Sequence, residues 1–293
     1  MSTLRYYQLD VFSSRPGQGN PLGVVIGADD WDAAAMQAFA AWTDLVETTF
    51  LLPPTQASAD YRVRIFTPKK EIPFAGHPSL GSAHAALESG FTKLREGALV
   101  QECGAGLLPV RSEGEGAARQ LFVQAPRATL VREGRFDEAE LQPLLSDFAA
   151  GKLPPALVEG GRRWWIAELD SEAAVRGYAP NHALIAQLAQ RDDALGLCLF
   201  ARCVGARYDV VVRAFPAGVG IAEDPASGAA NGLIAGYIAL REPQGALARG
   251  YRVSQGREIG HDARISVAID ADSSVWVGGP TCTVIRGELD WPR

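Results

Sequence analysis

One short sequence pattern occurs twice in this chain, about half the chain length apart. The first copy runs from Arg64–Phe66 through a proline and an alanine–glycine pair to His77–Ala83. The second copy runs from Arg213–Phe215 through a proline and an alanine–glutamate pair to Asp224–Ala230. The copies are 147 positions apart in a chain of 293 residues, whereas solenoid repeats span about 20–50 residues. The pattern therefore predicts two duplicated lobes, with a small-molecule site in the cleft between them.

The chain length fits two lobes of about 150 residues each. The expected N-terminal lobe comprises residues 1–126 and 279–293. The expected C-terminal lobe comprises residues 127–278. The first lobe carries Glu47 and His77, and the second carries Asp224. The low-propensity span 127–134 is the predicted linker.

Charge and composition restrict the expected partners. The net charge is −6 and no run of Lys or Arg occurs, whereas a nucleic-acid-binding surface needs a basic stripe. We therefore expect no nucleic-acid partner and no membrane partner, while a small anionic substrate stays possible because it needs only a local positive potential. The first ten residues lack a signal-peptide pattern, and four scattered cysteines do not form a disulfide framework. We expect a cytoplasmic protein.

No cofactor or metal signature is evident in the sequence. His77 and His84 are seven residues apart on one helical face, but no cysteine or acid lies at ligand spacing beside them. The glycines at 218–220 lack the strand–loop–helix context of a dinucleotide-binding fingerprint. We therefore expect neither metal nor cofactor.

Two apolar segments predict buried helices. Pro78–Leu87 carries no charged residue, and neither does Ala226–Leu240; a helix without a polar face is a buried one. Short β-branched strands flank both segments, so the predicted fold class is α+β, with two sheets that each curl around one central helix. Additional helices are predicted at Trp31–Trp42, Phe136–Ala149 and Asn181–Gln190.

Both buried helices are expected to begin at a proline, the residue favoured at the first helical position. His77 and Asp224 would then be N-caps, and the N–H groups around 79–81 and 226–228 would point out of the helices. Such helix ends bind anions. Asp224 could simply cap its helix. His77 is a poorer cap but a titratable one, which suits acid/base chemistry.

Glu47 opens a strand whose remaining residues, Thr48–Leu52, are apolar or β-branched. Burial would raise the pKa of such an acid towards neutrality, as a general acid or base requires. The alternative is a solvated acid at the end of a strand. Asn20 offers an amide that could line a site, although it also fits ordinary turn chemistry.

Several of these motifs together resemble the PhzF-like family, named for an isomerase of phenazine biosynthesis. The resemblance extends in order from residue 7 to residue 288. The matching segments are Gly19–Leu22, Glu47–Phe50, Phe74–Pro78, Gly104–Val110, Gly220–Gly228, Ser254–Gly256 and Val277–Gly279.

The resemblance implies a diaminopimelate-epimerase-like fold of two pseudo-symmetric lobes, each a β-barrel around a central helix, and a homodimer. It also implies that Glu47 shuttles a proton between two carbons of a cyclic amino-acid substrate, assisted by His77 and Asp224. Racemases of this fold use a cysteine at each of the two helix starts, so His77 and Asp224 exclude a two-thiol mechanism. The expected substrate-binding residues are Asn20, Gly76, Ser79, Gly81, Ser227, Gly228 and Ala229.

The chain departs from the family pattern at two places. Ala229 stands where the family commonly has a serine, and His261-Asp262 replaces the usual Arg-Pro. Together with the resemblance, the motifs around Glu47, His77 and Asp224 predict a cofactor-independent isomerase. It would act on a small cyclic amino-acid or carboxylate metabolite in a biosynthetic pathway. The alternative is a metabolite-binding or interaction protein of the same fold without turnover.

Overall fold

The computed structural model describes residues 4–291 of the chain. It is a mixed α/β protein with many strands and few helices. The chain folds into two compact units, Met1–Gln124 with Gly278–Arg293 and Ala125–Val277. Within residues 4–291, no helix is both long enough and apolar enough to cross a membrane.

Strands outnumber helices in the first unit. In its described part, the helices are α1 (Ala33–Thr43) and α2 (Gly76–Glu88). The strands are β1 (Arg5–Val11), β2 (Asn20–Ile26), β3 (Thr48–Leu52), β4 (Tyr61–Phe66), β5 (Glu71–Ile72), β6 (Ala98–Cys103), β7 (Gly106–Glu113), β8 (Gln120–Gln124) and β17 (Thr281–Glu288).

The second unit contains more helices than the first. They are α3 (Gln142–Leu145), α4 (Glu172–Gly177), α5 (His182–Asp192) and α6 (Gly228–Arg241). The strands are β9 (Thr129–Glu133), β10 (Ala156–Gly160), β11 (Arg162–Glu168), β12 (Ala194–Arg202), β13 (Val210–Phe215), β14 (Gly250–Gln255), β15 (Ala263–Ile269) and β16 (Val275–Gly279), the last of which ends in the first unit.

The two units share one order of strand pairings. In the first unit the pairings alternate along the chain. They are antiparallel in β1–β2, β3–β4 and β6–β7 and parallel in β2–β3 and β4–β6. The same alternation occurs along β10, β11, β12, β13, β14 and β15. Parallel neighbours need a crossover, and helices supply one in each case. The repeated sequence pattern thus corresponds to the same strand–helix–strand segment, β4–α2–β6 and β13–α6–β14.

Both helices that were predicted to be buried are buried. Nine residues of α2 are buried, and α2 packs against strands β1 to β4, β6, β8 and β17. In α6, eight residues are buried, and the helix packs against β9, β10, β11 and β15. These contacts explain why neither helix carries a charged side chain before its last residue, Glu88 or Arg241.

Two sequence predictions are wrong in detail, and not every strand was predicted. The helix predicted over Phe136–Ala149 is reduced to α3, because Pro143 cannot donate a backbone hydrogen bond and so ends any helix that approaches it from the N-terminal side. The predicted linker 127–134 contains strand β9, which pairs with β10. Strand β6 was not predicted.

Gly81 sets how closely α2 approaches the sheet of the first unit. A Cβ atom at this position would lie 2.3 Å from Leu22 Cδ2, 3.0 Å from Val11 Cγ2 and 3.3 Å from Leu9 Cδ1. All three neighbours are fully buried, so they have no room to move away. The helix and strands β1 and β2 are therefore packed at a spacing that only glycine permits.

We predict that Gly81→Ala lowers the free energy of unfolding. Overpacking a core costs about 1–3 kcal/mol, which outweighs the gain in helix propensity of roughly 1 kcal/mol. The matched control is Gly177→Ala at the end of α4, where a Cβ would meet nothing within 4 Å; it should be neutral or stabilising. Urea unfolding followed by circular dichroism measures both, and equal midpoints for the two variants would contradict the prediction.

Candidate active site

Glu47 and His77 are in contact within the first unit. Oε2 of Glu47 lies 3.3 Å from Nε2 of His77. Their side chains are only 13% and 9% exposed, respectively. A carboxyl group and an imidazole at this distance, largely removed from water, can form a hydrogen bond after a small approach.

The backbone before β3 fixes the position of Glu47. Helix α1 ends at Thr43, and Asp44 follows in the left-handed conformation with φ 51°. The hydroxyl of Thr43 then lies 2.9 Å from that of Thr48, so one hydrogen bond closes the short segment that carries Glu47. Strand β3 itself lies between β2 and β4 in the sheet, which leaves little freedom to its first residue.

A second hydroxyl contact joins β3 to α2. Ser82 Oγ donates to Thr49 Oγ1 at 2.9 Å, and both residues are fully buried. Because Glu47 lies two residues before Thr49 and His77 lies five residues before Ser82, this bond holds together the two elements that carry the pair.

His77 is the second residue of α2 and not its N-cap. The helix begins at Gly76 with Ala75 as the cap residue, and Ser79 N–H donates to the Ala75 carbonyl at 3.2 Å. The prediction that the N–H groups of Ser79–Gly81 point out of the helix is therefore wrong. Proline is tolerated anywhere in the first turn, where N–H groups have no intrahelical acceptor, so Pro78 did not mark the helix start. The first-turn donors are instead those of Gly76 and His77.

Buried polar groups support the turn that carries His77. Ser79 Oγ donates to the Ala75 carbonyl at 2.9 Å and accepts from Gln101 Nε2 at 2.9 Å. Gln101 Oε1 in turn accepts from the Tyr61 hydroxyl at 3.2 Å. The side chain of Ser79 is therefore fully engaged in positioning the turn.

Burial lowers the pKa of His77 to about 3. The shift is caused by removal of water from around the ring, which disfavours the charged imidazolium. His77 is consequently a neutral imidazole at physiological pH, with one ring nitrogen able to accept a hydrogen bond and the other able to donate one.

Asp224 belongs to the second unit and lies four residues before α6. Its N–H donates to the Ala214 carbonyl at 2.9 Å, and its Oδ1 accepts from Ala226 N–H at 3.1 Å. The N-cap of α6 is Ser227, whose Oγ accepts from Ala230 N–H at 3.3 Å. The prediction that Asp224 caps this helix is therefore wrong. The serine side chain reaches the first free N–H groups, while Asp224 closes a local turn ahead of them.

The Arg-x-Phe pattern forms the same interaction in both units. Arg213 donates to both carboxylate oxygens of Glu223 at 2.9 and 2.8 Å and lies over the Phe215 ring. Arg64 makes the equivalent pair with Glu71 at 2.8 and 2.7 Å. The Arg64–Glu71 pair is partly exposed, whereas the Arg213–Glu223 pair is buried. Since Glu223 precedes Asp224, the buried pair fixes the chain on one side of that residue.

The remaining predicted binding residues lie near these elements. Asn20 is buried and begins β2, opposite Val11 at the end of β1. Gly228 and Ala229 are the first two residues of α6, so their N–H groups have no intrahelical acceptor. Within residues 4–291, no group of three or more His, Cys, Asp or Glu side chains is arranged to hold a metal ion.

The sequence model of the family described as "Phenazine biosynthesis-like protein" matches residues 9–287. The chain belongs to this PhzC-PhzF family. Trans-2,3-dihydro-3-hydroxyanthranilate isomerase of Pseudomonas aeruginosa is 35% identical over 89% of this chain and 88% of that protein. Antisense-enhancing sequence 1 of Schizosaccharomyces pombe is 31% identical over 98% of this chain and 99% of that protein. Named isomerases among the relatives confirm that this is an isomerase-type family.

Solved structures confirm the α+β, epimerase-like fold class. A PhzF-family protein of Bacillus anthracis superposes with a TM-score of 0.84 at 24% identity, covering 99% of both chains. A hydroxyproline epimerase of Agrobacterium vitis superposes with a TM-score of 0.64 at 14% identity, covering 98% of this chain and 92% of that one.

We predict that His77 makes the protein less stable in mild acid. Its folded-state pKa of about 3 lies below the unfolded value of about 6.5, so below pH 6.5 the unfolded chain binds a proton that the folded chain does not. Stability should fall by up to about 1.4 kcal/mol per pH unit on this account. His77→Asn should make the free energy of unfolding less dependent on pH between pH 7 and 5. The change in slope should correspond to about one bound proton. The exposed His182 provides the control, His182→Asn, and an unchanged slope in His77→Asn would refute the assignment.

Proposed function

We propose that this protein is a cofactor-independent isomerase that moves a proton between two carbons of a small cyclic amino-acid or carboxylate metabolite. The observation that carries the proposal is the buried contact between Glu47 and His77. Membership of an isomerase-type family supports the reaction class.

In the proposed mechanism, the Glu47 carboxylate removes a proton from one carbon of the substrate and becomes a carboxylic acid. The electron pair left behind is delocalised through the substrate, and Glu47 returns the same proton to a second carbon. No electrons are gained or lost overall. The neutral His77 ring orients the Glu47 carboxyl group and can accept or donate a hydrogen bond as the protonation state of Glu47 changes.

The substrate class is inferred from the relatives and from the charge of the helix ends. Several relatives are named for trans-2,3-dihydro-3-hydroxyanthranilate, a cyclic amino acid. We propose that the N–H groups at the first turn of α2, including that of Gly76, bind the substrate carboxylate; the first turn of α6, including the N–H of Gly228, is a second candidate anion-binding helix end. Asp224 is proposed to orient the polar substituents of the substrate.

Replacing Glu47 by glutamine should abolish the proton shuttle without changing the fold. An amide cannot remove a proton from carbon, and loss of a general acid/base group costs about 10²–10⁴ in rate. The measurement is deuterium incorporation at substrate carbon in D₂O, with trans-2,3-dihydro-3-hydroxyanthranilate as the first substrate. The matched control is Glu88→Gln, which changes the other Glu–His contact of α2 (Nε2 of His84 lies 2.9 Å from Oε2 of Glu88), and it should exchange at the wild-type rate.

The same assay separates the enzyme from a binding protein of this fold. Ala229, at the second position of α6, lacks the hydroxyl that the related sequences commonly have there. A binding protein would retain the ligand without exchanging its carbon-bound hydrogens. If Glu47→Gln exchanged within a few-fold of the wild type, the proposed mechanism would have to be abandoned.

Asp224→Asn tests the role of the second acid. Asparagine keeps an oxygen that can accept from Ala226 N–H, as Asp224 Oδ1 does, so the local turn should persist. The variant loses the charge, and we expect kcat/KM to fall about ten- to a hundredfold, the equivalent of one hydrogen bond to a charged group. Steady-state kinetics give the value, and an unimpaired variant would remove Asp224 from the substrate-orienting role.

A further inference from the structure

Gln255 makes three hydrogen bonds to the segment that carries Asp224 and to the start of α6. It is the last residue of β14 and is fully buried. Its Nε2 donates to the main-chain carbonyl of Asp224 at 2.9 Å. Its Oε1 accepts from the N–H of Ser227 at 3.2 Å and from Nδ2 of Asn231 at 2.9 Å. One side chain thus bridges Asp224, the helix cap and the first turn of α6.

These partners require a side chain that supplies both a donor and an acceptor. A main-chain carbonyl can only accept and a main-chain N–H can only donate, so the group between Asp224 and Ser227 must supply one donor and one acceptor. Glutamine supplies both with a fixed spacing. A hydrocarbon side chain of the same size supplies neither, and an ionised glutamate supplies only acceptors.

The segment 224–227 needs such support because it is irregular and contains proline. Pro225 has no N–H to donate, and α6 begins only at Gly228. The residue that follows β14, Gly256, also lies very close to this segment. Gly256 has φ +92°, and a Cβ there would lie 2.5 Å from the Pro225 carbonyl oxygen. Gln255 therefore hydrogen-bonds the backbone of Asp224 and Ser227, and Gly256 leaves room for the carbonyl of Pro225 between them.

We propose that Gln255 is a positioning residue that fixes the carboxyl group of Asp224 through its main chain. The inference rests on the proposed function in so far as Asp224 contacts the substrate. A catalytic group must be held to within a fraction of an ångström, and a displacement of about 1 Å can cost a hundredfold in rate. The Arg213–Glu223 pair and the Ala214 carbonyl hold the chain as it enters Asp224, and Gln255 holds it as it leaves towards α6.

The first unit contains a comparable arrangement. Gln101 lies in β6, which pairs in parallel with β4, as β14 pairs with β13. Its Nε2 donates to Ser79 Oγ, the group that closes the turn containing His77. A buried glutamine from the strand after the central helix therefore supports the start of that helix in both units.

The experiment compares Gln255→Met with Tyr237→Phe in the full-length protein. Tyr237→Phe removes another buried hydrogen bond of α6, from the tyrosine hydroxyl to the Pro154 carbonyl at 2.9 Å, without touching the Asp224 segment. Two measurements need no substrate: amide hydrogen exchange at Ser227, and the carboxyl ¹³C resonance of Asp224 in aspartate-labelled protein, assigned by its loss in Asp224→Asn. We expect Gln255→Met to speed Ser227 exchange by about tenfold or more, the equivalent of a buried hydrogen bond, and to move the Asp224 resonance. Tyr237→Phe should change neither.

Gln255→Glu gives a pH-dependent version of the same test. The protonated side chain can donate to the Asp224 carbonyl and accept from Ser227, whereas the ionised one cannot donate. Burial raises the pKa of a carboxyl group, so we expect protection of Ser227 and the kcat of this variant, relative to the wild type, to recover as the pH falls from 8 to 6. A general loss of stability would not give this recovery. This variant also decides the question if Gln255→Met does not fold.

The outcomes separate the two proposals. A wild-type Asp224 resonance together with wild-type Ser227 exchange in Gln255→Met would overturn the positioning role, whatever the activity. If both measurements change while Asp224→Asn turns over normally, the positioning role stands and the proposed role of Asp224 in the reaction fails. With turnover measurable, a fall in kcat at nearly constant KM in Gln255→Met supports positioning.

Discussion

The burial of a carboxylate against a neutral imidazole is the constraint on which the rest of the first unit depends. Placing Glu47 and His77 3.3 Å apart with little access to water is unfavourable unless the surrounding backbone holds both groups in place. The hydroxyl pairs Thr43–Thr48 and Ser82–Thr49 do this. They join the first two residues of β3 to the end of α1 and to α2, and so hold together the elements that carry the polar pair.

The second unit uses the same strand–helix–strand segment with a different polar group at its start. Its Arg-x-Phe strand places a buried Arg213–Glu223 pair beside Asp224, where the first unit has the more exposed Arg64–Glu71 pair. The two helix starts also differ. His77 is inside the first turn of α2, whereas Asp224 lies ahead of α6 in a turn of its own. Duplicated connectivity has therefore been combined with two unlike acid/base groups.

Some of this arrangement was predictable from the sequence, for identifiable physical reasons. A helix without charged residues has to be buried, and α2 and α6 are. The helix starts were placed wrongly because Pro78 occupies the third position of α2, whereas Pro225 lies ahead of α6 and outside the helix. The contact between Glu47 and His77 depends on strand register and helix packing, which local patterns do not specify. Strand β6, and with it the role of Gln101, was missed because Ala98–Cys103 mixes polar and apolar residues that are buried on both faces.

The close packing at Gly81 bears on how such a protein can acquire new specificity. With no space for even a methyl group between α2 and strands β1 and β2, the helix cannot slide or roll to enlarge the site without rebuilding the core. Change is then easier in surface segments such as 14–18, which can vary in shape while α2 and its neighbouring strands stay where they are. A scaffold built in this way is expected to diverge at its surface while its buried helix stays fixed.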